Sequence, residues 1–220
     1  DSSCIIKIGS GLVERFSEDE LCFVIGHELG HFILGDLDSH EAHAIRLANQ
    51  AHVVVVNVEY RLAPEHPFPA AIDDADAALD WVHAHLADMA GADLPLAVGG
   101  DSAGGNLAAA TALHARAQGI KLAAQLLLYP VTDLTKLNGI PERAYLGDKS
   151  AGRGLDPRAS PALAPSLAGL APALIGVGVY DFLYQDNMHY AQALHAAGVN
   201  VVLRQFDNLN HGFFSYTAIS

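Results

Sequence analysis

The sequence predicts an α/β chain, a mostly parallel sheet flanked by helices. Three features lead to it. Short β-branched or apolar runs alternate with longer stretches of helical period. The runs are apolar at successive positions, as in Val53 to Val58 with Asn57 the exception, which suits strands buried on both faces. From Leu96 to Ala117, an apolar run, a knot of small residues and an alanine-rich segment read as strand, tight turn and helix.

Cys4 to Ile8 reads as a short strand closed by Gly9-Ser10-Gly11. Ser17 to Glu20 is a capping-box pattern ahead of the apolar run Leu21 to Ile25. That run suits either a buried strand or the first half of a helix. A helix is expected over about 40–51, then the strand Val53 to Val58 and a proline-punctuated loop from Tyr60 to Ala71. The next helix runs to about Leu86, with Ile72, Ala75, Leu79, Val82 and Leu86 on one stripe. After a turn at 91–95 comes the strand–turn–helix unit, then a strand from Leu122 to Tyr129 closed by Pro130. Residues 131–172 hold many Pro, Gly and Ser and read as loop with a short helix. A strand at 173–179, a helix at 184–197, a strand at 199–206 and a turn at 210–214 complete the chain.

At 220 residues and 51% hydrophobic content, one domain with a real core is expected. A formal charge of −13 argues against nucleic acid or an anionic membrane as partner. No apolar run approaches the roughly 18 residues of a membrane span. The chain opens at Asp1 with no basic segment ahead of an apolar one, so no signal peptide is expected. A start without methionine points to processing or truncation. The two cysteines, Cys4 and Cys22, make no disulfide framework, so a reducing, cytoplasmic location is expected.

Gly100 and Gly104 flank Ser102 in a G-x-S-x-G pattern between strand and helix. A serine on so sharp a turn has a strained backbone, and only small neighbours leave room for it. The following N–H groups open a helix and face a developing negative charge. A hydroxyl becomes a good nucleophile once a base takes its proton and an acid orients that base. On a parallel sheet, those partners belong just after later strands. Asp181 and His211 stand there, and they are the expected acid and base. Asp186 and Asp207 are weaker choices for the acid, while His189 and His195 fall on a helix as ordinary solvated residues.

A second motif precedes this one. His27-Glu28-Leu29-Gly30-His31 is an HExxH pattern, which on a helix puts two imidazoles on one face for zinc and a glutamate beside the metal-bound water. Residues 10–31 resemble the active-site helix of gluzincin-type zinc metallopeptidases. That family needs a third protein ligand, and Glu41, Glu59 and Glu65 do not supply it convincingly. No metal is therefore expected.

From about Phe32 to Tyr216, the chain resembles the hormone-sensitive-lipase-like bacterial carboxylesterases of the α/β-hydrolase fold. The resemblance rests on Gly35-Asp36, Tyr60 to Glu65, Gly100 to Gly105, Asp156 to Pro161, Asp181 and His211-Gly212-Phe213. It implies a cofactor-free hydrolase of short- to medium-chain carboxylic esters, working through Ser102, His211 and Asp181 and an acyl-enzyme. It also implies an oxyanion hole made by the Ala103 N–H with that of Gly30 or Leu29. The family carries His-Gly-Gly-Gly where this chain has Glu28-Leu29-Gly30-His31, so only Gly30 matches. A metal-binding helix would consume N–H groups that an oxyanion loop must leave free.

These readings together predict a chimeric or truncated chain. Residues 1–31 would form a metallopeptidase-like segment, not an independent domain, and residues 32–220 the hydrolase core. The N-terminal cap and early strands would be missing or replaced. A small-molecule ester is the expected partner, with a homo-oligomer possible. The alternatives are a zinc metallopeptidase working through His27, Glu28 and His31, and an inactive hydrolase-like fragment or binding module.

Overall fold

The computed structural model describes residues 5–8, 21–26, 37–90, 94–137, 139–147 and 152–215. Among the described residues, seven strands form one sheet: β1 (Ile5–Ile8), β2 (Leu21–Gly26), β3 (Val53–Val58), β4 (Leu96–Asp101), β5 (Leu122–Leu128), β6 (Ala173–Gly178) and β7 (Val201–Phe206). Their order across the sheet is β1-β3-β2-β4-β5-β6-β7, and every pair is parallel. Parallel strands need crossovers. These include helices α1 (Leu37–Ala51), α2 (Ala70–Ala90), α3 (Ala103–Gln118), α4 (Ile140–Leu146) and α5 (Tyr184–Ala196).

Strand β3 shows why the apolar runs do not alternate. Val54, Val56 and Val58 join the core with α2 and α3, while Val53 and Val55 pack with Ala44 and Ala48 of α1. The predicted stripe on α2 is the buried one, with Ile72, Leu79 and Val82 wholly enclosed. The outer face of the last strands is more open, and Leu174, Val202 and Phe206 are exposed there.

The run Leu21 to Ile25 resolves as strand β2, between β3 and β4. Of the two readings this run allowed, the strand holds and the first half of a metallopeptidase-like helix does not. Five apolar residues in succession satisfy a strand with parallel neighbours on both sides, and Val24 and Ile25 favour it by their branching. His27, Glu28, Leu29, Gly30 and His31 lie outside the described residues.

Order and direction locate the working edge of the sheet. The chain leaves β2 toward β3 but leaves β4 toward β5, so the point where the strand order reverses, where sheets of this kind bind ligands, falls between the carboxyl ends of β2 and β4. Gly26 pairs with Gly100 at that edge.

The turn is fixed from several sides. Gly100 allows strand and helix to meet, because a Cβ there would lie 2.4 Å from the Gly104 carbonyl carbon. Asn106, buried on α3, donates through Nδ2 to the carbonyls of Val131 and Ala159, each at 2.8 Å. We expect Asn106→Ala to cost about 2–3 kcal/mol in urea unfolding, since two interior carbonyls lose their donor. An unchanged midpoint would show that neither bond matters.

Candidate active site

Ser102 follows β4 and precedes the first residue of α3, with φ 52° and ψ −113°. Left-handed φ is costly for a side chain bearing a Cβ, and the surroundings hold it. The Ser102 N–H donates to the Leu128 carbonyl at 2.9 Å. Its own carbonyl accepts from Asn106 N–H at 3.0 Å and Val131 N–H at 3.3 Å. The hydroxyl does not cap the helix it precedes. It meets His211 Nε2 at 2.8 Å instead, across 109 residues of chain.

His211 sits in the turn after β7. Its Nδ1 lies 2.9 Å from Asp181 Oδ2 and 3.0 Å from Oδ1. The Asp181 side chain is fully buried, while that of His211 is 19% exposed. The Leu183 N–H also donates to Asp181 Oδ1, at 2.8 Å. A carboxylate facing Nδ1 accepts the proton there, which leaves the Nε2 lone pair for the Ser102 hydroxyl. The structure thus brings Ser102, His211 and Asp181 into one hydrogen-bonded chain at the carboxyl edge of the sheet. Such a chain can move a proton from serine to imidazole while the buried acid stabilises the cation.

Ala103 opens α3, and the first N–H groups of a helix have no carbonyl one turn back to bond. Its N–H is therefore suited to an oxyanion. Gly30 and Leu29, the expected second donors, lie outside the described residues.

The remaining candidates are elsewhere. Asp186 lies on α5 and accepts from the Thr132 N–H at 2.7 Å, and burial pushes its carboxyl above the usual range. Asp207 is exposed, and His189 and His195 ride on α5. Arg61 clamps Asp74 with Nη2 at 2.7 Å and Nε at 2.9 Å, which holds the loop after β3 to α2. Glu65 is exposed on that loop. Among the described residues, no group of three His, Cys, Asp or Glu is placed to hold a metal ion.

Three side chains near the relay carry no sequence motif. Tyr129 has φ 37° and is wholly buried; its hydroxyl donates to Asp101 Oδ2 at 3.2 Å and its ring meets His211 edge-on at 4.9 Å. Phe182 covers His211 on another side, with ring centroids 4.6 Å apart. Asn187 donates to the carbonyls of Pro130 and Leu183, each at 2.9 Å, tying α5 to the loop after β5. A proline after an apolar strand and an aromatic after the expected acid were the only hints.

A sheet with this order, carrying a strained serine after β4 and its partners after β6 and β7, defines an α/β hydrolase. The chain belongs to that family: the family model described as alpha/beta hydrolase fold matches residues 29–215. Among curated relatives, carboxylic ester hydrolase LipN of Mycobacterium tuberculosis is 45% identical over 210 residues, 84% of this chain and 55% of that protein. Carboxylesterase NlhH of the same species is 39% identical, over 91% of this chain and 69% of that protein. Among solved structures, a hyperthermophilic esterase from the archaeon Pyrobaculum calidifontis superposes with a TM-score of 0.83. It is 38% identical, covering 94% of this chain and 73% of that one. The chain spans 55% and 65% of the length of the first two curated relatives it matches. The NlhH match takes in more of the chain than residues 32–220 alone make up, so hydrolase likeness enters the N-terminal segment and the chimera with a metallopeptidase finds no support.

Proposed function

We propose that the protein hydrolyses carboxylic esters of small molecules, with short- to medium-chain acyl groups, through an acyl-enzyme on Ser102. The observation that carries this reading is the unbroken bonding from Ser102 Oγ through His211 to buried Asp181. The esterase and carboxylesterase names of relatives up to 45% identical support the choice of ester.

Ser102 Oγ attacks the ester carbonyl carbon and gives its proton to His211 Nε2. Asp181 holds the ring and the cation that forms. The Ala103 N–H, with that of Gly30 or Leu29, takes the carbonyl oxygen as it gains charge. As the C–O bond breaks, Nε2 passes its proton to the leaving alcohol oxygen. Water then attacks the acyl-enzyme by the same route, with His211 again taking and returning the proton.

The test is turnover of p-nitrophenyl acetate and butanoate in the presence of a chelator, with fluorophosphonate labelling located by peptide mapping. Turnover with the label on Ser102 is expected. Turnover abolished by the chelator, or a label elsewhere, would overturn the reading.

The base depends on one glycine. A Cβ on Gly178 would stand 2.2 Å from the Leu209 carbonyl oxygen, in the turn that leads to His211. That oxygen already accepts from the Tyr180 N–H at 3.1 Å, beside Asp181. Gly178→Ala must push the turn away, and an ångström of misplacement is worth about 10² in rate. We expect kcat/KM to fall at least that far, with a lower melting temperature. Activity near that of the parent would show that the turn yields without moving His211.

A further inference from the structure

We infer that Phe182 is a specificity-determining residue: its ring receives the apolar group of the leaving alcohol, so the site favours esters of aromatic and arylalkyl alcohols. This rests on the esterase reading above and adds which half of the substrate is recognised there.

The geometry separates the two halves of an ester. Its acyl carbon becomes bonded to Ser102 Oγ. Its alcohol oxygen must come within hydrogen-bond reach of His211 Nε2, because that nitrogen returns the proton as the C–O bond breaks. The carbons next to that oxygen therefore lie against whatever borders the imidazole on its open side. Among the described residues, two rings pack on His211. Tyr129 is wholly buried and cannot touch substrate. Phe182 is 71% exposed while its ring centroid stands 4.6 Å from that of His211, tilted by 45°. An aromatic ring so exposed gains little for the fold, yet it is held beside the base. Its position follows from the chain: Leu183 is buried behind it, and the Leu183 N–H bonds Asp181, so residue 182 stays between acid and helix α5.

Contact between two aromatic rings is worth about two- to tenfold beyond ordinary burial, and the alanine variant also loses the burial itself. The experiment compares benzyl acetate with methyl acetate, whose alcohols are similar in acidity but differ by a ring, and benzyl acetate with benzyl hexanoate, which differ only in the acyl chain. In Phe182→Ala, kcat/KM for benzyl acetate is expected to fall about tenfold, with less than a twofold change for methyl acetate. The hexanoate-to-acetate ratio should stay as in the parent. Phe182→Leu should restore part of the benzyl preference. Equal losses on methyl and benzyl esters would assign Phe182 to holding His211 and overturn the inference. A loss that grows with the acyl chain would place the ring on the acyl side and overturn it equally. Fluorophosphonate labelling of Ser102 in the parent keeps the two levels apart: with labelling and ester turnover intact, either result sinks the alcohol-side assignment alone. A parent that neither labels nor turns over any ester sinks the esterase reading and this inference with it.

Discussion

Ser102→Ala is expected to lower kcat for ester hydrolysis by about 10⁵–10⁶-fold with the fold intact. The substitution removes one oxygen. It keeps the Cβ, so it neither relieves the positive φ nor disturbs the backbone bonds to Leu128, Asn106 and Val131. Thermal unfolding should therefore be close to that of the parent, which separates lost chemistry from lost structure. His211→Ala should cost a comparable factor, and the double variant little more, because the two side chains act as one unit. Two losses that multiply would mean that serine and histidine serve different steps. Residual turnover within tenfold of the parent would remove Ser102 from the reaction.

Asp181→Asn should cost about 10⁴-fold in kcat at neutral pH, by leaving the imidazole in the wrong tautomer. Oδ1 of Asp181 accepts from the Leu183 N–H at 2.8 Å. An asparagine placed there keeps its carbonyl oxygen on that donor. Its NH₂ group must then take the place of Oδ2, which lies 2.9 Å from His211 Nδ1. Two donors cannot face each other, so the imidazole moves its proton to Nε2 and presents N–H to Ser102. The base is then blocked without any change in packing. Asp181→Ala leaves the tautomer free and should be no worse than the asparagine variant, an order that kcat measured on the same ester would reveal. An asparagine variant much faster than the alanine variant would show that the carboxylate only fills space.

Much of this was legible because parallel sheets put chemistry at strand ends. The serine between Gly100 and Gly104, and Asp181 and His211 after later apolar runs, each carry a local signal. Other features arise only from packing. The run Leu21 to Ile25 has no period that separates strand from helix, and pairing with β3 and β4 decides it. Helix α3 starts at Ala103 although Gly104 and Gly105 are poor helix formers, and packing asks for the second of them, since a Cβ on Gly105 would stand 2.9 Å from Pro130 Cβ. Tyr129 meets His211 and Gly178 borders the turn that carries it, each across the fold, and neither spacing nor composition marks a contact of that kind. The segment 131–172 holds a short helix and tight 3₁₀ turns, pinned by Ser160 and Asn106 rather than by any apolar period.

The all-parallel sheet also governs how the molecule comes into being. Among the described residues no strand pairs with a neighbour through a tight hairpin, so each of these pairings closes a long loop before it is rewarded, and folding of such a topology is slow. The nucleophile turn can be complete once β4, β5 and α3 have met. The base sits in the turn after β7, so it needs the pairing of β7 with β6 before it can stand by the serine. On the ester-hydrolase reading, recovery of turnover after dilution from denaturant is expected to report docking of β7 on β6.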